Sequence, residues 1–217
     1  MKAKHNYILL LAFIVMGFSS VDYTGWELKK NNNGIMLYTR STIGSNIKSV
    51  RVVDTVQSTL NGIVALLLDV KDYPTWIDHC TEAKVLKVIN AQEQYKYVKV
   101  GLPWPFDDRD IVAYFKITQD SVTRQVTLTT TSTPDYMPET PGIVRIVDYQ
   151  SVYILTPLSK GIVQIEFEFH ANPTGAIPAW LINANIISGP FNTTLEMRKV
   201  LPQYQGIHYT FISDEKH

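Results

Sequence analysis

Histidine, cysteine and paired carboxylates are the side chains best suited to catalysis, and this chain supplies them thinly. After residue 20 its histidines are His79, His170, His208 and His217. His79 adjoins Cys80, but neighbours in sequence do not place a base against a nucleophile. Glu166 and Glu168 look like a carboxylate pair. By two-residue alternation, however, they fall opposite Val163, Ile165, Phe167 and Phe169, and read as a solvated face. The fingerprints of serine hydrolases, zinc proteases, phosphate-binding loops and dinucleotide folds are missing. No metal site and no cofactor are expected. Arg109 is different: in "DDRDIVAYF", if Ile111, Ala113 and Phe115 face a core, Arg109 faces it too. An unpaired guanidinium there costs several kcal/mol, so it requires a buried carboxylate or a polar ligand group. Asp110 points the other way. Asp107 and Asp108 in the preceding turn, or Asp148 if it faces inward with Val144 and Ile146, are the candidate partners.

Composition narrows the context for that arginine. The 217 residues are 45% hydrophobic and 11% aromatic, enough for one sizeable core. Twenty basic residues balance twenty acidic ones, so bulk charge gives no reason to expect nucleic acid as a partner. Cys80, the one cysteine, excludes an internal disulfide and reads as a small buried hydrophobe. Lys2 and Lys4 precede an apolar run from Tyr7 to Phe18, with Gly17 and Ser19 at a cleavage-like spacing. This reads as an export signal over residues 1–20, followed by one domain over 21–217. Its apolar run is short for a bilayer about 30 Å thick, so a retained anchor is the weaker reading. A periplasmic or secreted location is expected.

The elements that must position Arg109 read mainly as strands, expected over 26–30, 35–40, 47–56, 83–88, 95–100, 110–118, 125–131, 142–155 and 161–170. Asn33-Gly34 marks a type I′ hairpin, and the short connections predict an antiparallel sheet. A helix is expected over 58–70, capped by Ser58. A second is expected over 178–201, with Leu181, Ala184, Ser188, Phe191 and Leu195 on one stripe and a kink at Gly189-Pro190. One long helix against a curved sheet makes a grip. Periodicity alone leaves open whether the space inside is packed core or cavity.

Four stretches carry a resemblance: Trp76-Ile77, "GLPWPFDDRDIV", "MPETPGIVRI" and "NPTGAIPAWLIN". In order and spacing they are similar to the START lipid-binding domain family over roughly residues 24–205. The resemblance implies an α+β helix-grip fold: a curved antiparallel sheet and a C-terminal helix enclosing a hydrophobic tunnel. It implies a non-catalytic carrier of a lipid or sterol-like molecule, monomeric and touching membranes transiently. The site residues it suggests are Arg109 as polar anchor, then Ile111, Ala113, Tyr95, Tyr97, Tyr136, Met137, Ile165, Phe167, Phe169, Leu181, Ala184 and Ser188. A structural salt bridge at the corner is the competing reading of Arg109. Trp76 is expected to pack the helix-to-strand junction. Trp104 and Phe106 either staple their loop to the body or meet a membrane. A polyketide cyclase or aromatase of the same architecture is the alternative function; it would gather several Arg, Tyr or His side chains in one tunnel.

Overall fold

The hairpin that opens the described chain shows how local chemistry sets the sheet. Asn33 and Gly34 both adopt positive φ, 55° and 77°, as a type I′ turn requires. They join β1 (Glu27–Asn32) to β2 (Ile35–Arg40). The computed structural model describes residues 25–214, so the expected leader lies outside the described residues. The remaining strands are β3 (Ser49–Gln57), β4 (Cys80–Asn90), β5 (Glu93–Val100), β6 (Asp108–Gln119), β7 (Val126–Ser132), β8 (Ile143–Arg145), β9 (Asp148–Ser159) and β10 (Ile162–Asn172). They form one curved ten-stranded sheet, nine of them in the order β1-β2-β3-β10-β9-β7-β6-β5-β4 with β8 off that path.

All neighbours along that path pair antiparallel, but β8 pairs parallel with the start of β6. This corrects two expectations. The stretch 142–155 is two strands rather than one, and the short connections did not make every pairing antiparallel. The β7–β8 connection carries the chain far enough to re-enter beside Asp108–Asp110 in the same direction as β6.

Helix α1 (Leu60–Leu68) is capped by Thr59, not Ser58; the Thr59 hydroxyl accepts from the Gly62 N–H at 3.0 Å. Apart from Asn61, whose amide donates to the Ile212 carbonyl and Asp214, it is apolar on every face because it is buried, Leu68 alone being half-buried. It anchors the larger core with Trp76, Phe115, Leu128, Leu155 and Leu201. A short α2 (Tyr73–Trp76) leads into β4.

The expected long helix is two helices, α3 (Ala179–Asn185) and α4 (Ser188–Val200). Pro190 is the cause. It has no N–H for the Ile186 carbonyl four residues back, so the helix breaks there and restarts with Pro190 in its first turn. The interruption therefore falls at Ile186-Ile187, ahead of the expected Gly189-Pro190. Phe191 on α4 closes a second, smaller core with Ile35, Leu37, Val50 and Val52. Helices α3 and α4 cross the concave face of the sheet, which gives the helix-grip arrangement.

Candidate ligand-binding cavity

Between that concave face and α3–α4 lies a cavity of about 770 Å³. This is within the size range of small-molecule sites, roughly 300–1,000 Å³. Its wall alternates along each strand as the pleat demands: Arg109, Ile111, Ala113 and Phe115 from β6; Lys96, Val98 and Val100 from β5; Ile165, Phe167 and Phe169 from β10. Leu181, Ile182, Asn185 and Ile186 supply the α3 side, and Ser188 begins the α4 side. Tyr153 and Phe167 stack with ring centroids 4.1 Å apart, and Phe167 lies 5.4 Å from Phe169. The inner surface is therefore largely aromatic and aliphatic.

Of the residues suggested by sequence, Arg109, Ile111, Ala113, Ile165, Phe167, Phe169, Leu181 and Ser188 line this cavity. Tyr95, Tyr97, Tyr136, Met137 and Ala184 do not, and the reasons are geometric. In β5 the register pairs Lys96 with Ala113 and Val98 with Ile111, so Lys96 and Val98 face inward and the tyrosines face out. Tyr95 stacks on Tyr136 at 4.0 Å. Tyr97 is buried on that outer side, where it hydrogen-bonds Asp110 and burial raises its hydroxyl pKa. Met137 gives its backbone carbonyl to Arg145 at 3.1 Å. Ala184 is exposed because α3 presents the 181, 182, 185 and 186 positions to the cavity.

The opening puzzle of Arg109 resolves without a carboxylate. Its guanidinium, in a residue 4% exposed, donates to the backbone carbonyls of Pro173 (2.8 Å), Thr174 (3.3 Å), Asp107 (2.5 Å) and Asp108 (3.4 Å). Burial lowers its pKa, and the nearby Asp107 charge pushes the other way. It ties the turn before β6 to the segment after β10. Asp148 is not its partner; it lies 3.4 Å from His170. Asp110 instead forms a bidentate ion pair with Arg145 at 2.5 and 3.0 Å, both side chains almost fully buried on the opposite face.

Sequence reasoning missed Lys96. This residue is 6% exposed and reaches into the cavity, with its Nζ 3.0 Å from the Tyr73 hydroxyl and 4.0 Å from the centroid of Phe115. Burial pulls its pKa down to about 7. Tyr73, Tyr149 and Tyr153 line the same cavity with hydroxyl pKa values raised by burial, alongside Thr130 and Ser151. Arg109 is thus one of several polar groups inside, and the gathering of Arg109, His79, Tyr73, Tyr149 and Tyr153 in one cavity is the feature expected of the cyclase alternative. Trp76 packs edge-on to Tyr73 at 5.4 Å within the core, and it also lines the cavity.

The remaining chemical candidates are not assembled. The Cys80 thiol bonds the Glu82 carbonyl at 3.6 Å, with burial raising its pKa to about 11, while His79 faces Asp78. Glu168 pairs with Arg51 on the outer face, and Glu166 there is buried rather than solvated. Next to the cavity-lining Pro103 and Leu181, Trp104 is 92% exposed in the turn before β6, and Trp180 is 71% exposed on α3. Phe106, half-buried, faces the cavity.

Comparison with known proteins places this geometry. The START domain model matches residues 19–206. An uncharacterized protein of Pseudomonas aeruginosa is 32% identical over 173 residues, covering 80% of this chain and 85% of its own. Phosphatidylcholine transfer protein of Bos taurus is 24% identical over 186 residues, covering 83% and 85%. The crystal structure of a STAR-related lipid transfer protein from Xanthomonas axonopodis superposes with a TM-score of 0.77 at 31% identity, covering 82% of this chain and 99% of that one. Human StAR-related lipid transfer protein 5, at 16% identity and a TM-score of 0.72, covers 84% and 89% and shares the fold.

Proposed function

The chain belongs to the START domain family, and from that premise we propose that it is a non-catalytic carrier that shields one lipid in the cavity between membranes. The cavity itself carries this reading. A volume of about 770 Å³ walled by Ile111, Ile165, Phe167, Phe169 and Leu181 stays favourable only when apolar matter replaces water inside it. Burial of a chain there contributes about 25 cal/mol per Å².

Arg109 acts as a clamp in this reading, because its three guanidinium nitrogens already donate to four backbone carbonyls. The two segments it ties together lead into the exposed Trp104 and Trp180, whose amphipathic rings suit a membrane interface during loading. The break at Ile186-Ile187 supplies a hinge by which α3 swings away to admit a ligand. Export through the N-terminal leader is part of the same proposal and places the carrier outside the cytoplasm. Transfer of a pyrene-labelled lipid between donor and acceptor vesicles tests it. Catalytic amounts of protein are expected to speed transfer, and Trp104→Ala with Trp180→Ala to slow it. No acceleration with any lipid class tried would overturn the carrier reading.

A further inference from the structure

We infer that Lys96 is the seat for an acidic group on the bound lipid, so that the cavity takes a lipid acid, a carboxylate or phosphate monoester, with its charge held inside. This rests on the carrier reading and sharpens it to a ligand class.

Lys96 lacks partners among the described residues for most of its donors. An ammonium has three N–H donors and no acceptor. Among the described residues the one acceptor it meets is the Tyr73 hydroxyl, at 3.0 Å. Tyr73 is fixed in that role, since its own proton goes to the Leu67 carbonyl at 2.6 Å. Otherwise Lys96 meets aromatic faces, Phe115 at 4.0 Å and Tyr73 at 5.2 Å to the ring centroids. Those contacts stabilise a cation but do not neutralise it.

No carboxylate of the described residues is within ion-pair distance of Lys96. The two aspartates on the cavity wall are engaged elsewhere. Asp54 is gripped by Arg198, and Asp78 meets Asn192 and His79. A buried cation without a counter-charge is costly to the fold, and a methionine would fill the same space more favourably. The charge therefore serves something outside the chain.

A second observation points to the same end of the cavity. The indole N–H of Trp76, in a residue 2% exposed, has no acceptor among the described residues, and its ring packs on Tyr73. An oxyanion lodged at Lys96 thus finds one cation already oriented by Tyr73, with a second unsatisfied donor on the same aromatic pair. Tyr149 and Tyr153 from β9 face this space with hydroxyls that burial keeps protonated, and these too can donate. Burial without a counter-charge lowers the Lys96 pKa, and an acidic ligand would raise it again and favour the charged form.

The placement also sets the ligand's direction. Lys96 pairs with Ala113, four residues along β6 from Arg109, or about 13 Å at 3.3 Å per residue. With its acid at Lys96, a lipid would lay its chain past Ile111 and Leu181 toward the Arg109 end of the cavity. A neutral lipid would satisfy hydrogen bonds there but not the charge.

Displacement of Nile red from the delipidated protein tests this with four probes: oleate, 1-oleoyl lysophosphatidate, methyl oleate and 1-monoolein. At least one of the two acids is expected to compete tenfold or more better than the neutral pair, and which acid wins separates carboxylate from phosphate. Lys96→Met, which removes a buried charge and is expected to fold with a raised melting temperature, should erase that preference while leaving methyl oleate's competition intact. Equal competition by acids and neutral lipids, or an acid preference that survives Lys96→Met, overturns the Lys96 assignment and leaves the carrier reading standing. Failure of all four probes to compete, together with no vesicle transfer, defeats both.

Discussion

Arg109 and Lys96 enter one cavity from neighbouring strands, yet their surroundings differ completely. At the mouth, Arg109 spreads its charge over four backbone carbonyls. Farther in, Lys96 has one hydroxyl and two aromatic faces. Arg145, on the outer side of the same sheet, completes the series with a bidentate carboxylate. A buried cation answered by its own chain holds structure together. One that the chain leaves unanswered points to a guest.

That ranking can be broken most easily with stability measurements. Arg145→Met would strand a buried Asp110 carboxylate, and the expected loss is about 4 kcal/mol in urea unfolding. Arg109→Met would free four carbonyls and release the mouth, with an expected loss of about 3 kcal/mol. A loss below that of an ordinary surface substitution would show that the carbonyl cage is not a clamp.

Lys96 should behave in the opposite sense. Its folded pKa, about 7, lies below its unfolded value, so between those values the unfolded chain binds more protons and stability rises with pH. From pH 7 to 9 the ligand-free protein should gain about 2 kcal/mol. The tyrosines that share the cavity wall with Lys96, Tyr73, Tyr149 and Tyr153, all have pKa values raised by burial and stay protonated throughout that window. Cys80, also raised by burial, begins to lower stability only as pH climbs toward the unfolded thiol's range, near the window's upper end. Lys96→Met should flatten the slope and stabilise the protein at pH 7 by about 1 kcal/mol. A slope that persists in that variant would assign the titration elsewhere. The smallest effect is expected from Trp104→Ala, whose ring is 92% exposed: under about 0.5 kcal/mol in stability, with slower vesicle transfer.

The same contrast explains what the sequence made legible. Ile111, Ala113 and Phe115 are apolar at every second position, so the inward direction of Arg109 followed from alternation alone. In "EQYKYVKV" the two tyrosines pass for the buried face, and choosing them sends Lys96 outward. The register against β6 decides the matter, and register belongs to the sheet rather than to one strand. The Asp110–Arg145 pair was equally hidden, because it depends on a parallel contact between segments 35 residues apart. Pro190 announced a break in the C-terminal helix, but its consequence appears at Ile186, the carbonyl its missing N–H would have met.

Native mass spectrometry of the protein purified from its own host, with fragmentation of whatever copurifies, tests the central claim most directly. A single lipid bound one to one, carrying a carboxylate or phosphate monoester, is the predicted result. A ligand-free mass throughout, from protein that also gains no mass when incubated with vesicles, would contradict it.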